Sequence, residues 1–338
     1  MFTFHMKRLS LLIYTVIAIL QIFSSCNSKE KSDHFFNDFS EIYTLEGKAI
    51  KMPDSVIRVL GHADVTDNSY IFFMYDSPNY LSTSDKNFEN FFDFGVKGQA
   101  PGELQFASLT GYNKEDGSYD IYDCNAKKLY RFIPGSNYSL EEIISFPQSF
   151  NEYDPLKIVP LSNGTYAAPR GDFKYGMINY NPTTGEVIEW PLGDDFDNEN
   201  PENQEVSKRI IKYNKEKKLI AEVYGCYPTV ILHDEDGNIV KRLTYTKYKK
   251  PASYDSSASC FSSIFLTTKY IWLLYGETFD NSNQVLVIDY DGNPIAQLLI
   301  QPTMNIVVDE QENKLITTDP NQEENNLVVY DLPEFLFN

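Results

Sequence analysis

Histidine is almost missing from this chain. Four occur in 338 residues; His5 and His34 fall near the N-terminus, leaving His62 and His233 for the body. A Ser–His–Asp triad, a histidine-rich metal centre or a histidine acid–base pair is therefore poorly provided for. Cysteine is as sparse: Cys26, Cys124, Cys226 and Cys260, without CxxC or zinc spacing. Beyond Cys26 the count is odd, which allows at most one disulfide and leaves buried thiols as the expected state. The GxSxG, HExxH and phosphate-loop patterns are absent, and long helical periodicity is absent throughout. Positive charge is short as well, with 29 Lys and Arg against 48 Asp and Glu. The first 26 residues carry Lys7 and Arg8 and no acid, so the net charge of −19 becomes −21 for the remainder. So acidic a surface repels nucleic acid and anionic lipid headgroups. No cofactor is indicated, and the sequence points to binding rather than catalysis.

The N-terminus reads as a processing signal. Lys7 and Arg8 form a short basic region, and Leu9 to Phe23 is an apolar run of signal-peptide length. That run is short for a membrane span, which takes roughly 20 apolar residues. Ile22-Phe23-Ser24-Ser25-Cys26 resembles a bacterial lipobox, with Phe23 where Leu is usual. The resemblance implies that 1–26 is a lipoprotein signal peptide, Cys26 the lipid-attachment site, 27–39 a tether and 40–338 the folded domain. It also implies an envelope location, lipid-anchored to the outer membrane on its periplasmic or surface side. Contact with the membrane would run through the acyl chains alone, and more than one chain is needed for stable anchoring. An uncleaved anchor helix is the competing reading.

What is plentiful is aromatic: 24 Tyr and 23 Phe, residues that favour strands. A short apolar strand following a turn recurs six times, anchored at Tyr70, Tyr119, Tyr166, Leu219, Tyr270 and Leu315. The spacings are 49, 47, 53, 51 and 45 residues. A period of roughly 40 to 50 residues with several strands per unit marks a propeller. A second apolar strand follows each anchor, and Asp116-Gly117, Asn163-Gly164, Asp236-Gly237 and Asp291-Gly292 supply hairpin turns. These features predict an all-β, six-bladed β-propeller with four-stranded antiparallel blades. The sixth unit lacks a fourth strand, and Glu41–Leu45, continuing to Lys51, lacks a partner. That segment is expected to close the ring as an N-terminal strand in the last blade.

The junction Phe94-Gly95-Val96-Lys97-Gly98-Gln99-Ala100-Pro101-Gly102-Glu103-Leu104 resembles the G-x-x-G-x-x-P-G-E-[FL] junction of NHL-like propellers. The body, residues 40 to 335, is similar to the TolB-like six-bladed propeller lipoproteins of Bacteroidetes. The resemblance implies a fold and no common activity.

Candidate site residues follow from the repeat. Second strands end near Asp76, Asp123, Asp172, Glu277 and Asp319, with Arg170 and Tyr227 beside them. These seven are expected on one end of the ring, as a rim for a ligand such as a glycan or peptide, or for an envelope protein. The domain itself is expected to be monomeric. The alternative function is a divalent-cation-dependent hydrolase of lactonase type with its ion in the channel. Asp234, Asp236, Asn238 and Asp289, Asp291, Asn293 lack the distal Glu of an EF-hand and read as turns. The run Asp194, Asp195, Asp197, Glu199, Glu202, Glu205 reads as a solvated loop, and His62 as an ordinary strand residue.

Overall fold

The computed structural model describes residues 32–52, 58–136, 138–171, 176–190, 209–225, 227–248, 260–276, 282–321 and 326–337. Asp33–Asn338 form one compact unit. Cys26, Asp172, Cys226, Glu277 and the acidic run 194–205 lie outside the described residues.

Three N-terminal strands come first: β1 (Ser32–Phe36), β2 (Ile42–Thr44) and β3 (Lys48–Ala49). Blade one holds β4 (Leu60–Val65), β5 (Ser69–Met74), β6 (Asn79–Asp85) and β7 (Phe91–Val96). Blade two holds β8 (Ala107–Asn113), β9 (Ser118–Asp123), β10 (Lys128–Phe132) and β11 (Glu141–Ser145). A short helix, α1 (Gln148–Asn151), leads to blade three: β12 (Val159–Pro160), β13 (Tyr166–Pro169), β14 (Met177–Asn181) and β15 (Glu186–Glu189). Blade four holds β16 (Arg209–Asn214), β17 (Leu219–Tyr224), β18 (Thr229–Asp234) and β19 (Ile239–Tyr245). Blade five holds β20 (Phe261–Leu266), β21 (Tyr270–Tyr275), β22 (Gln284–Asp289) and β23 (Pro294–Leu299). Blade six holds β24 (Asn305–Asp309), β25 (Lys314–Thr318) and β26 (Leu327–Asp331). The innermost strands touch in the order β4, β8, β12, β16, β20, β24, and β24 returns to β4. The molecule is a six-bladed β-propeller.

Burial explains the strand chemistry. A second strand is covered by blades on both sides, so Ser69–Met74 and Ser118–Asp123 are buried at every position. Ser69–Met74 accordingly reads as a near-continuous apolar run, whereas Ser118–Asp123 carries a buried Asp120 paired with Arg131 at 2.7 Å. The outer strands β11 and β15 are mostly exposed and mostly polar. Asp234 and Asp289 accept backbone N–H groups in hairpin turns whose glycines, Gly237 and Gly292, sit at φ 83° and 91°. Cys124 and Cys260 are buried, and burial pushes the Cys124 thiol up to about 11.

The ring is closed from the N-terminus, as expected, but by a shorter strand. Lys48–Ala49 pairs antiparallel with β26 and supplies the outer strand of blade six. Ile42–Thr44, expected in the same strand, instead adds to blade five, parallel to β23. Ser32–Phe36, inside the span read as tether, adds a fifth strand to blade four. The break falls at Gly47, where a Cβ would lie 2.5 Å from Val328 Cγ1 and 2.6 Å from Tyr330 Cε1. Only glycine lets the chain step so closely onto blade six, and the step divides the segment into two strands. One N-terminal strap thereby covers the outer edges of three consecutive blades.

Side chains tie blade six to blade one. The Tyr70 hydroxyl donates to Asp309 Oδ2 at 2.8 Å, and Lys86 Nζ reaches the same oxygen at 2.5 Å. Asn326 accepts the Leu60 N–H at 2.9 Å and donates to the Leu60 carbonyl at 3.2 Å, while the Thr318 hydroxyl donates to the Gly61 carbonyl. The next seam repeats the device: Tyr119 donates to Asp64 Oδ2 at 2.8 Å. Between blades three and four, Arg209 donates to the carbonyls of Gly176 (2.5 Å) and Arg170 (2.7 Å). Its partner Glu222 (3.7 Å) also takes the Tyr224 hydroxyl (2.7 Å) and meets His233 Nε2 (3.0 Å).

Two stability predictions follow from these contacts. Gly47→Ala overpacks the strap against blade six and costs about 1–3 kcal/mol, read as a lower urea midpoint at unchanged slope. An unchanged midpoint would show that the strap is not seated there. Burial alone would raise the Glu222 carboxyl, but the hydrogen bond and charge of His233, with Arg209, outweigh it and hold the group below its ordinary 4.5. Its contribution is therefore present above that value and lost as pH falls through the depressed folded value. Denaturant midpoints measured between about pH 6 and pH 3 should fall less steeply in Glu222→Gln than in the parent. Equal slopes would remove Glu222 from the account.

Candidate functional site

The opening residues of the six innermost strands line a cavity of about 470 Å³ at one end of the central channel. Residues further along five of them, all but β24, line a second, of about 540 Å³, at the other end. Thr110, Val159 and Lys212 face both. All six strands thus enter from the same end, here called upper. Each second strand runs antiparallel to its innermost neighbour and finishes at that end.

Backbone irregularities aim polar groups into the upper cavity. β4, β8 and β20 each slip register against their second strands, between Leu60 and Ala63, Leu109 and Gly111, and Phe261 and Ser263. The residues inside these slips include His62, Thr110 and Ser262, and all three line the cavity. Bulges re-aim side chains in this way. Gly61 beside His62 is required, since a Cβ there would run into the Tyr75 ring.

Lys157 arrives on the connection from blade two to blade three. Phe150 of α1 is buried, its ring 4.5 Å from Phe146 and 5.5 Å from Tyr180. The Gly171 N–H donates to the Tyr153 carbonyl at 2.8 Å, and the Arg170 guanidinium lies 4.8 Å over the Tyr153 ring. The connection is thereby pinned to blade three, with Lys157 three residues beyond Asp154, whose carboxylate holds Lys127 at 2.6 Å. The Lys157 side chain makes no hydrogen bond or ion pair among the described residues. Lys212, on the adjoining innermost strand β16, pairs with Asp64 of β4 at 3.5 Å. Lys97 rests 4.6 Å over the Tyr80 ring.

The walls are mostly apolar. Phe73, Tyr75, Tyr80 and Phe106 form an aromatic side, with centroid separations of 5.1 Å (Phe73–Tyr75), 5.6 Å (Phe73–Tyr80) and 6.3 Å (Tyr80–Phe106). Leu156 and Phe106 remain about half exposed at the mouth. Three lysines in this cavity face one carboxylate, Asp76. Enclosure by the channel walls and the nearby charge of Lys212 push the Lys157 ammonium down to about 8. His62 has surface open to the lumen, yet walls surround it. Enclosure, then Lys157 and Lys212, push its imidazole down to about 3 against the opposing pull of Asn305. It stands neutral at neutral pH.

Of the expected rim residues that are described, Asp76 lines the cavity. Asp123 sits at the same end but is fully buried, and its carboxylate accepts four backbone N–H groups, from Gln105, Phe106, Asn125 and Ala126. Asp319 is buried and accepts the Asn321 N–H. Arg170 pairs with Glu189 at 2.5 Å, and Tyr227 packs edge-on against Tyr224 at 6.3 Å. The structure brings together residues from the strand before each anchor instead. His62, Thr110, Lys157, Lys212, Ser262 and Asn305 all lie seven to ten residues ahead of an anchor. Polar residues recurring at that offset are the sequence signal that marks the lumen.

No protein-family model matches the chain, and no curated protein matches it. Solved structures share the fold. A member of the DUF4221 family from Bacteroides vulgatus is 14% identical at a TM-score of 0.56, over 85% of this chain and 97% of that one. An auxiliary nutrient binding protein from Bacteroides thetaiotaomicron is 10% identical at 0.51, over 80% of this chain and 68% of that one. A streptogramin B lyase is 11% identical at 0.51, over 86% of this chain and 97% of that one. One of these is a binding protein and another an enzyme, so the shared architecture leaves activity to be argued from the cavity.

Proposed function

We propose that this protein is an envelope binding protein, lipid-anchored at Cys26, whose upper cavity takes a small anion with an apolar body. The carrying observation is Lys157: an ammonium without a partner among the described residues, lining a mostly apolar cavity, in a chain of net charge −19. A half-buried cation beside apolar walls gains from a carboxylate, sulfonate or phosphate brought to it. Lys212 adds a second charge, and the aromatic side from Phe73 to Phe106 suits a flat apolar body. The volume is that of ordinary small-molecule sites. The alternative of a divalent cation in the channel fits this lining poorly. Lysines repel it, and among the described residues no group of three or more His, Cys, Asp or Glu side chains is placed to hold a metal.

The anchoring half rests on the leader-like segment ending at Cys26 and on the resemblance of the body to TolB-like propeller lipoproteins, in which the 94–104 junction is the NHL-like part. Gly95 and Gly102 of that junction adopt φ 69° and 86°, and Leu104 exchanges backbone hydrogen bonds with Val96 and Gly98. Among the described residues no helix is long and apolar enough to cross a membrane.

An amphipathic sulfonate dye, anilinonaphthalene sulfonate, tests the cavity. The parent protein should bind one equivalent, and Lys157→Met should weaken binding about 10- to 100-fold, the worth of one charge-assisted contact. Lys215→Met, at the opposite end, should leave it unchanged. Affinity in the parent should fall as pH rises through about 8, where Lys157 loses its charge, and the Lys157→Met curve should stay flat there. Equal affinity in parent and Lys157→Met would exclude the cavity. For the anchor, Cys26→Ala should abolish fatty-acid labelling and release the protein from membranes; labelling that persists would reject Cys26.

A further inference from the structure

We propose that Lys157 is a carbonyl-capturing amine: it forms a reversible imine with an anionic aldehyde or 2-oxo acid seated in the upper cavity. The proposal rests on the anion-binding role of that cavity and names the ligand class it would take. Two lysines meet there with different surroundings. Lys212 is held by Asp64 at 3.5 Å, and that carboxylate is itself fixed by the Tyr119 hydroxyl at 2.8 Å. It remains a charge for the ligand's carboxylate. Among the described residues Lys157 has no carboxylate and no hydrogen-bond partner, and the cavity it lines is walled by Leu156, Ile158, Ile211 and Ile264 beside the polar His62 and Asn305. None of the described side chains bonds its nitrogen, so the lone pair stands open once the proton leaves. Enclosure and the nearby Lys212 charge favour that loss, the combination that activates lysine amines elsewhere.

The step balances without an outside oxidant or reductant. The neutral nitrogen attacks the carbonyl carbon, a C–N bond forms as the C=O π bond opens, and one N–H proton passes to the oxygen to give a carbinolamine. The second N–H proton then goes to the hydroxyl, the C–O bond breaks, the oxygen leaves as water, and the nitrogen lone pair closes the C=N bond. An apolar wall favours this loss of water, and hydrolysis returns amine and carbonyl.

The experiment uses the folded chain with phenylpyruvate, followed by sodium borohydride, which reduces the imine to a stable secondary amine. Phenyllactate, which has the carboxylate and ring without the carbonyl, is the matched control. One reduced adduct, mapped to Lys157 and formed more than about tenfold faster than on surface lysines, is the expected result, given the larger neutral-amine fraction at Lys157. Lys157→Arg should lose the adduct while phenylpyruvate still displaces the sulfonate dye. Displacement by both acids without an adduct, or adducts spread evenly over surface lysines, would overturn carbonyl capture and leave the anion site standing. Failure of both acids to displace the dye, with no adduct, would overturn the two together.

Discussion

Every property of this molecule depends on closing a ring of six small sheets. A blade has two apolar faces, and each is covered only when a neighbour stands on either side. The interface between blades six and one, where the two ends of the chain meet, therefore determines whether the other five persist. The chain spends its most specific contacts there. Asp309 takes the Tyr70 hydroxyl and the Lys86 ammonium, Asn326 brackets the Leu60 backbone, and the N-terminal strap completes blade six. Burial and Asp309 hold the Tyr70 phenol well above its ordinary range, so it remains a donor. Gly47 seats the strap and Gly61 admits the Tyr75 ring beside His62, so two glycines serve closure and cavity in turn.

Closure also creates the channel, and with it an electrostatic inversion. The body is strongly acidic, yet the upper cavity sets Lys97, Lys157 and Lys212 against Asp76. Cations enclosed by apolar walls are costly unless paired, and two of the three are relieved: Lys212 by Asp64, Lys97 by the Tyr80 ring. Lys157 is left without relief. A surplus of that kind is expected at a place that meets its counterpart from outside.

The fold was legible because it is written in repetition. Anchors such as Tyr70 and Tyr119 recur at near-constant spacing, and Asp-Gly pairs mark the hairpins. What the anchors do was not legible: the hydroxyls of Tyr70 and Tyr119 cross to the preceding blade, a contact over 239 and 55 residues that local pattern cannot show. The strap was half legible, since its composition suits a strand but the division at Gly47 depends on Val328 and Tyr330. The site was least legible. Acids at second-strand ends are conspicuous, yet Asp123 is used up by four backbone N–H groups, and Asp319 is buried and caps its own loop. Lys157 shares the recurring offset ahead of an anchor with five other residues, and nothing in the sequence singles it out; its importance comes from the enclosure around it and from Lys212, 55 residues later in the chain.

Whether the upper cavity is an anion site centred on Lys157 can be read from anomalous diffraction of crystals of the folded domain soaked in sodium iodide, because iodide is a large, polarisable anion suited to an apolar, cationic cavity. An anomalous peak is expected inside the upper cavity, within contact distance of Lys157 Nζ, and should disappear in crystals of Lys157→Met. Iodide confined to surface lysines, with the cavity lacking a peak in the parent protein, would contradict an anion site there.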